Sequence, residues 1–356
     1  MELFRLFLHR LSLLKTRTRV HTRLFGLHTL RISCNLLMLD RIPVTRHADV
    51  RLSYANLVFG LITSLYCCVD VTAQVEKLPQ HVKVAAVQIS GYDKTDLPRK
   101  NFDPVKPIVS YINQAGTDAA DLVVFPEYVL GHISVPGLET QQIAAAAKRN
   151  RIYVIVGCWE VANDTTYSNT ALIFDRDGKI CGKYRKTHAA VDTFEGKPAY
   201  ARAPRDRTQQ WFLTNDPEWT MEKGDSLPVF EFDFGKVGIM TCYDGWFPEP
   251  PRILSLQGAE LIVWINGRRG KVEEFIVKTI TFQSHVSLVA TNQAYGSGTM
   301  IADHGNKILA SAPDRTEAYI SATLDLDSVR KRRKGSRNFQ QRRPDLYQPL
   351  LKEIPK

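Results

Sequence analysis

Several things are scarce in this chain, and each scarcity narrows what it can be. Its 356 residues hold six cysteines, at 34, 67, 68, 158, 181 and 242, and only three of these lie beyond residue 73. An odd remainder argues against a disulfide framework. The longest apolar stretch, Leu57–Val69, is 13 residues, too short to cross a bilayer comfortably. No internal repeat and no Gly/Ser- or Pro-rich linker interrupts residues 82–327, which favours one large domain there over an array of small ones. The basic run Arg330–Lys334 has no interleaved aromatics, and no nucleic-acid partner is expected of it.

What is present is unevenly distributed. The formal net charge of +10 divides into +6 for residues 1–74, +8 for 330–356 and −4 for 75–329. The central part is therefore not basic, and a chain-wide acidic partner is excluded. The hydrophobic share of 44% and charged share of 24% are those of a soluble globular protein.

The amino-terminal extension, residues 1–74, reads as a targeting segment. Arg46 and Arg51 precede the apolar core 57–69, and Val71-Thr72-Ala73 follows it. This is the pattern of a secretory signal peptide cleaved after Ala73, with export to a periplasm or the exterior. Residues 1–37 are rich in Arg, Leu and His with Glu2 as their one acid. Either Met38 is the true start, or residues 1–37 form an Arg-rich organellar signal. If the extension is no signal at all, the chain is cytoplasmic.

Hydrophobic patterning predicts strands at 82–90, 121–125, 152–159, 169–175 and 179–186, with helices at 103–117 and 139–151 between them. A long, aromatic, irregular stretch at 187–226 has the character of a lid or binding loop. Strands at 228–233, 236–241 and 260–265 alternate with helices at 249–257 and 271–284. Strands at 286–291, 298–302, 306–311 and 318–323 close the domain. Strand–helix alternation followed by hairpins indicates a mixed α/β sheet fold.

Three segments carry chemistry. Cys242 ends the strand of KVGIMTCYDGW at a tight turn, which suits a nucleophile, although a lone cysteine is as readily a packing residue. Glu127 follows the buried strand of DLVVFPEY, at the carboxyl end where α/β sheets place ligand sites. Its apolar neighbours tend to raise its pKa and fit it for general-base work. In KICGKYRKTH, alternation puts Lys186 and Arg185 on opposite faces, so one of the pair can point inward to a developing oxyanion. Tyr128, Trp246 and Asn266 stand beside these strand ends as candidate substrate-binding residues. Arg268 and Arg269, just beyond, are either an anion grip or two solvated loop arginines.

FPE, KYRKTH and CYDGWFPE, in that order, resemble the nitrilase superfamily of carbon–nitrogen hydrolases over roughly residues 82–350. The resemblance implies a Glu127–Lys186–Cys242 triad on a four-layer α-β-β-α sandwich that dimerises through a helical face. It further implies a second glutamate in the loop after the lysine, for which Glu195 is the local candidate, and a basic tail, 328–356, lying over the domain or a neighbouring subunit. The mechanism so implied needs no metal or cofactor. Glu127 takes the thiol proton, Cys242 attacks an amide carbonyl, and Lys186 with the Tyr243 backbone N–H holds the oxyanion. CYDGWFPE is closer to amidases and N-carbamoyl amide hydrolases than to nitrilases. Nitrile hydrolysis by the same triad, or a catalytically silent sandwich used for interaction, are the alternatives.

Overall fold

The computed structural model describes residues 78, 81–91, 102–163, 166–190, 193–194, 197–198 and 217–352, all within the unit Glu76–Lys356. The signal-like segment around Ala73, both candidate start residues and Glu195 lie outside the described residues. The first half contains β1 (His81–Gln88), α1 (Val105–Thr117), β2 (Leu122–Val124), β3 (His132–Ser134), α2 (Leu138–Asn150), β4 (Tyr153–Asn163), β5 (Thr166–Phe174) and β6 (Ile180–Arg185). A short pair, β7 (Thr193–Phe194) and β8 (Lys197–Pro198), and the helical turn α3 (Pro217–Thr220) follow. The second half holds β9 (Val229–Phe232), β10 (Gly235–Thr241), α4 (Glu249–Leu256), β11 (Leu261–Ile265), α5 (Glu274–Ser284) and β12 (Ser287–Thr291). It ends in β13 (Thr299–Ala302), β14 (Ile308–Ala312), β15 (Ala318–Asp325), α6 (Leu326–Lys334) and α7 (Arg337–Gln340).

Two sheets result. One is seven-stranded in the order β15-β1-β2-β4-β5-β6, with β3 beside β4; the other is six-stranded, β14-β13-β12-β11-β10-β9. Alternation within each strand explains the layering. Val82, Val84 and Ala86 of β1 meet Leu261, Val263 and Ile265 of β11 in a core between the sheets. Their neighbours Ala85 and Val87 face Ile108, Ile112 and Ile143 of α1 and α2, while Ile262 and Trp264 face Leu254, Val277 and Ile280 of α4 and α5. Burial on both faces is why these strands read as nearly continuous apolar runs. The architecture is the four-layer α-β-β-α sandwich.

The sequence-based element map needs four corrections. The β4–β5 hairpin is longer than expected: it runs on to Asn163 and returns from Thr166, burying Glu160 and Ser168, residues that look solvated in sequence. Strand β3, parallel to β4, has no apolar signature. The stretch 187–226 is not structureless: among its described residues are β7, β8 and α3. The boundary expected between 327 and 328 falls inside α6, whose Leu326 and Val329 belong to the inter-sheet core. Arg330 is also held there, donating to Glu260 at 2.7 and 3.0 Å. Among the described residues no helix is long and apolar enough to cross a membrane.

Candidate active site

β2 runs parallel to both β1 and β4, and Glu127 sits just beyond its carboxyl end. The chain turns there through Tyr128 at φ 38°. Gly157 of β4 makes the turn possible: a Cβ at that position would lie 2.5 Å from Tyr128 N and 2.6 Å from Glu127 Cα. Glu127 is 1% exposed. Its Oε1 accepts from Asn169 Nδ2 at 2.7 Å and from Lys186 Nζ at 3.1 Å, while Oε2 has no hydrogen-bond partner among the described residues. Burial pushes this carboxyl above its ordinary value and outweighs the opposing Lys186 charge, and the neighbouring Glu218 adds to the rise.

Lys186 leaves β6 fully buried. Its backbone N–H continues the ladder to Asn169 O at 2.8 Å, and its ammonium reaches both Glu127 and, at 2.5 Å, Glu218 Oε1. Burial works against the charge, but the two carboxylates more than restore it and hold Lys186 protonated well above its ordinary range. Glu218, on α3, is fixed in turn by the Ala190 N–H at 2.5 Å.

β10 runs parallel to β11 and delivers Cys242 at φ 45° into a tight helical turn, Cys242–Trp246. Burial and the Glu127 charge push its thiol well up, and the Lys186 and Arg268 charges oppose them. The thiol is thus protonated at rest, and the Glu127, Lys186 and Arg268 charges all act on the same sulfur. The turn is pinned by Asp244, which is fully buried. Asp244 Oδ2 accepts from Tyr184 Oη at 2.7 Å and Thr241 N at 2.8 Å. Its Oδ1 accepts from His188 N and Nδ1 at 2.9 Å each and Thr187 Oγ1 at 3.0 Å. These donors hold its carboxyl below the ordinary value although burial pulls the other way. One carboxylate therefore ties the exit of the lysine strand to the Cys242 turn.

The remaining candidates frame this centre. Tyr128 stacks on Trp159 with ring centroids 5.6 Å apart, and its hydroxyl donates to Gly267 O at 2.5 Å. Asn266 is fully buried. Its backbone carbonyl accepts from Glu127 N at 3.3 Å and its Nδ2 donates to Trp264 O at 3.0 Å. Trp246 is 53% exposed and lies under the Arg268 guanidinium, 5.0 Å from its centre. Arg268 is not free to grip an anion with its fork, because Glu273 occupies it. Tyr243 directly follows Cys242 in the turn. A cavity of about 460 Å³ borders the turn along Gly245, Trp246, Phe247, Glu273 and Phe275. Among the described residues no group of three or more His, Cys, Asp or Glu is placed to hold a metal ion.

Sequence reasoning missed Asn169, Glu218 and Asp244. Asn169 had no signal beyond a polar residue inside an apolar strand. Glu218 was hidden in the irregular stretch, where Glu195 was the local match to the family pattern. Asp244 was visible in CYDGW, but its partners were not.

The sequence pattern of one family, described as carbon-nitrogen hydrolase, matches residues 83–334. Among characterised proteins, the chain is similar to an N-carbamoylputrescine amidase of Solanum tuberosum. The two are 29% identical over 62% of this chain and 74% of that protein. It is also similar to the human omega-amidase NIT2, at 27% identity over 70% of this chain and 93% of the relative. Among solved structures, a mutant amidase of Nesterenkonia sp. AN1 superposes with a TM-score of 0.58 at 15% identity, covering 77% of this chain and 99% of that one. That amidase shows covalent addition of the acetamide moiety of fluoroacetamide at its active-site cysteine.

Proposed function

Because the chain belongs to the carbon–nitrogen hydrolase family, we propose that it cleaves the C–N bond of a small amide or N-carbamoyl amine through a thioester on Cys242. One observation carries this reading. Glu127 is held by Lys186 and Asn169 through Oε1 alone, so a buried carboxylate oxygen with raised proton affinity stays free within electrostatic reach of a protonated thiol. The amidases among its relatives support substrates of this class.

The proton of Cys242 passes to Glu127 Oε2 as Sγ bonds to the carbonyl carbon, and the C=O electron pair moves onto oxygen. Lys186 and the Tyr243 N–H stabilise that oxyanion, each such donor being worth ~10²–10³ in rate. As the C–N bond breaks, Glu127 returns its proton to the departing nitrogen, which leaves as ammonia or an amine. Water then adds to the thioester with Glu127 again as base, the C–S bond breaks, and the proton goes back to sulfur. An amide yields a carboxylic acid; an N-carbamoyl amine yields a carbamate that falls apart to carbon dioxide and amine. Glu218 holds Lys186 against Glu127.

Ammonia release from a panel of amides, N-carbamoyl amines and nitriles tests the reading. Cys242→Ala is expected to abolish turnover while leaving the fold intact, because the change removes little packing; retained activity would refute it. Assembly into a homodimer or larger homo-oligomer, and export after loss of residues 1–73, belong to the same proposal. Size-exclusion chromatography with light scattering tests the first. Mass spectrometry of the mature amino terminus tests the second.

A further inference from the structure

Asn169 grips Glu127 with one end of its carboxamide and leaves the other end unpaired. Its Nδ2 lies 2.7 Å from Glu127 Oε1. An ionised carboxylate can only accept, so the end in contact is the NH₂ and the far end is the carbonyl oxygen. That oxygen, Oδ1, is buried without a hydrogen-bond partner among the described residues, as is Glu127 Oε2. Two acceptors thus flank one hydrogen-bonded pair, both shut away from bulk water, and such groups are expensive to leave unmatched. The carboxamides of Asn266 and Gln293 also carry unpaired oxygens. Their NH₂ groups, however, are spent on the backbone carbonyls of Trp264 and Glu127, not on the carboxylate.

Resting on the hydrolase reading above, we infer that Asn169 Oδ1 and Glu127 Oε2 receive the two N–H bonds of the substrate's NH₂ group. Asn169 is thereby a specificity-determining residue for unsubstituted carboxamides and ureido groups. An NH₂ carries two donors on one atom, and the two unpaired acceptors lie one on each member of the hydrogen-bonded Asn169–Glu127 pair. A nitrile or an ester offers no N–H and leaves Asn169 Oδ1 unmatched. The arrangement also serves the chemistry. Once Glu127 has taken the thiol proton, its Oε2 becomes the donor, and the bond from the nitrogen to Asn169 keeps the nitrogen lone pair turned toward it.

The test measures binding without turnover. In the Cys242→Ala protein, titration calorimetry compares an amide that the wild type hydrolyses with the methyl ester of the same acid. The amide is expected to bind about tenfold tighter. Adding Asn169→Leu brings the ratio close to one while the ester's Kd stays within about twofold. Asn169→Ser, smaller and still polar, serves if the leucine protein does not fold, and it too lowers the ratio. An unchanged ratio, or equal weakening of both ligands, overturns the inference. Wild-type turnover of an amide with a ratio near one in Cys242→Ala overturns it and leaves the hydrolase reading standing; no turnover of any amide by the wild type overturns both.

Discussion

Glu127 and Asp244 are both carboxylates with almost no exposure, each at or just past the end of a strand, yet their proton affinities move in opposite directions. Burial penalises the charge on both. The difference lies in how many donors answer it. Asp244 accepts five hydrogen bonds shared over both oxygens, and its charge is stabilised in place. Glu127 accepts two, both on Oε1, with Glu218 as a second negative charge nearby. A carboxylate saturated with donors is a structural tie, whereas one left half-answered keeps a proton-accepting oxygen for chemistry.

The sharpest way to break the contrast is to remove one charge at a time. Glu127→Gln is expected to lower amide turnover by about 10³-fold, with a melting temperature equal to or above that of the wild type. The sign follows from linkage. A carboxyl whose pKa is raised by folding costs stability once pH exceeds its unfolded value, so neutralising it relieves that cost. Ammonia assays and thermal denaturation near pH 7 check both halves.

Asp244→Asn should do the reverse in kind. The amide NH₂ would face donors that need an acceptor, at a cost of about 3 kcal/mol, lowering the melting temperature by roughly 5–10 °C. Its effect on rate is expected to be smaller than that of Glu127→Gln, since Asp244 positions the turn and has no free oxygen. A larger rate loss than that of Glu127→Gln would reverse the two assignments.

Gly157→Ala acts on the turn that carries Glu127 and Tyr128. The added methyl meets the backbone of Glu127 and Tyr128, and the displacement should cost about tenfold in kcat and ~1–3 kcal/mol in stability. The mildest test is pH. Activity should fall reversibly on the acid side at a pH above the ordinary carboxylate range, as Glu127 takes up its proton. The stability supplied by Asp244 is present above the ordinary Asp range and is lost only as pH falls through its lowered folded value. Coincidence of the two acid limbs would remove the distinction.

Strand ends at Glu127 and Cys242 were legible because each closes an apolar run at a turn, Lys186 was legible as the inward-pointing member of an alternating pair with Arg185, and the sandwich was legible through the family resemblance that those motifs carry. Asn169 and Glu218 were not. Each is an ordinary polar residue locally, and each acquires its role from a partner 42 or 32 residues away, Glu127 or Lys186. The irregular look of 187–226 hid α3 because a helical turn of four residues has no period to detect.

The sequence by itself determined which residues could do chemistry and where strands would end, since residue type and hydrophobic alternation are local properties. Only the tertiary structure decided which carboxylate is free and which is spent. That depends on how many donors converge on each oxygen, and those donors come from strands and loops that meet only after the two sheets have packed.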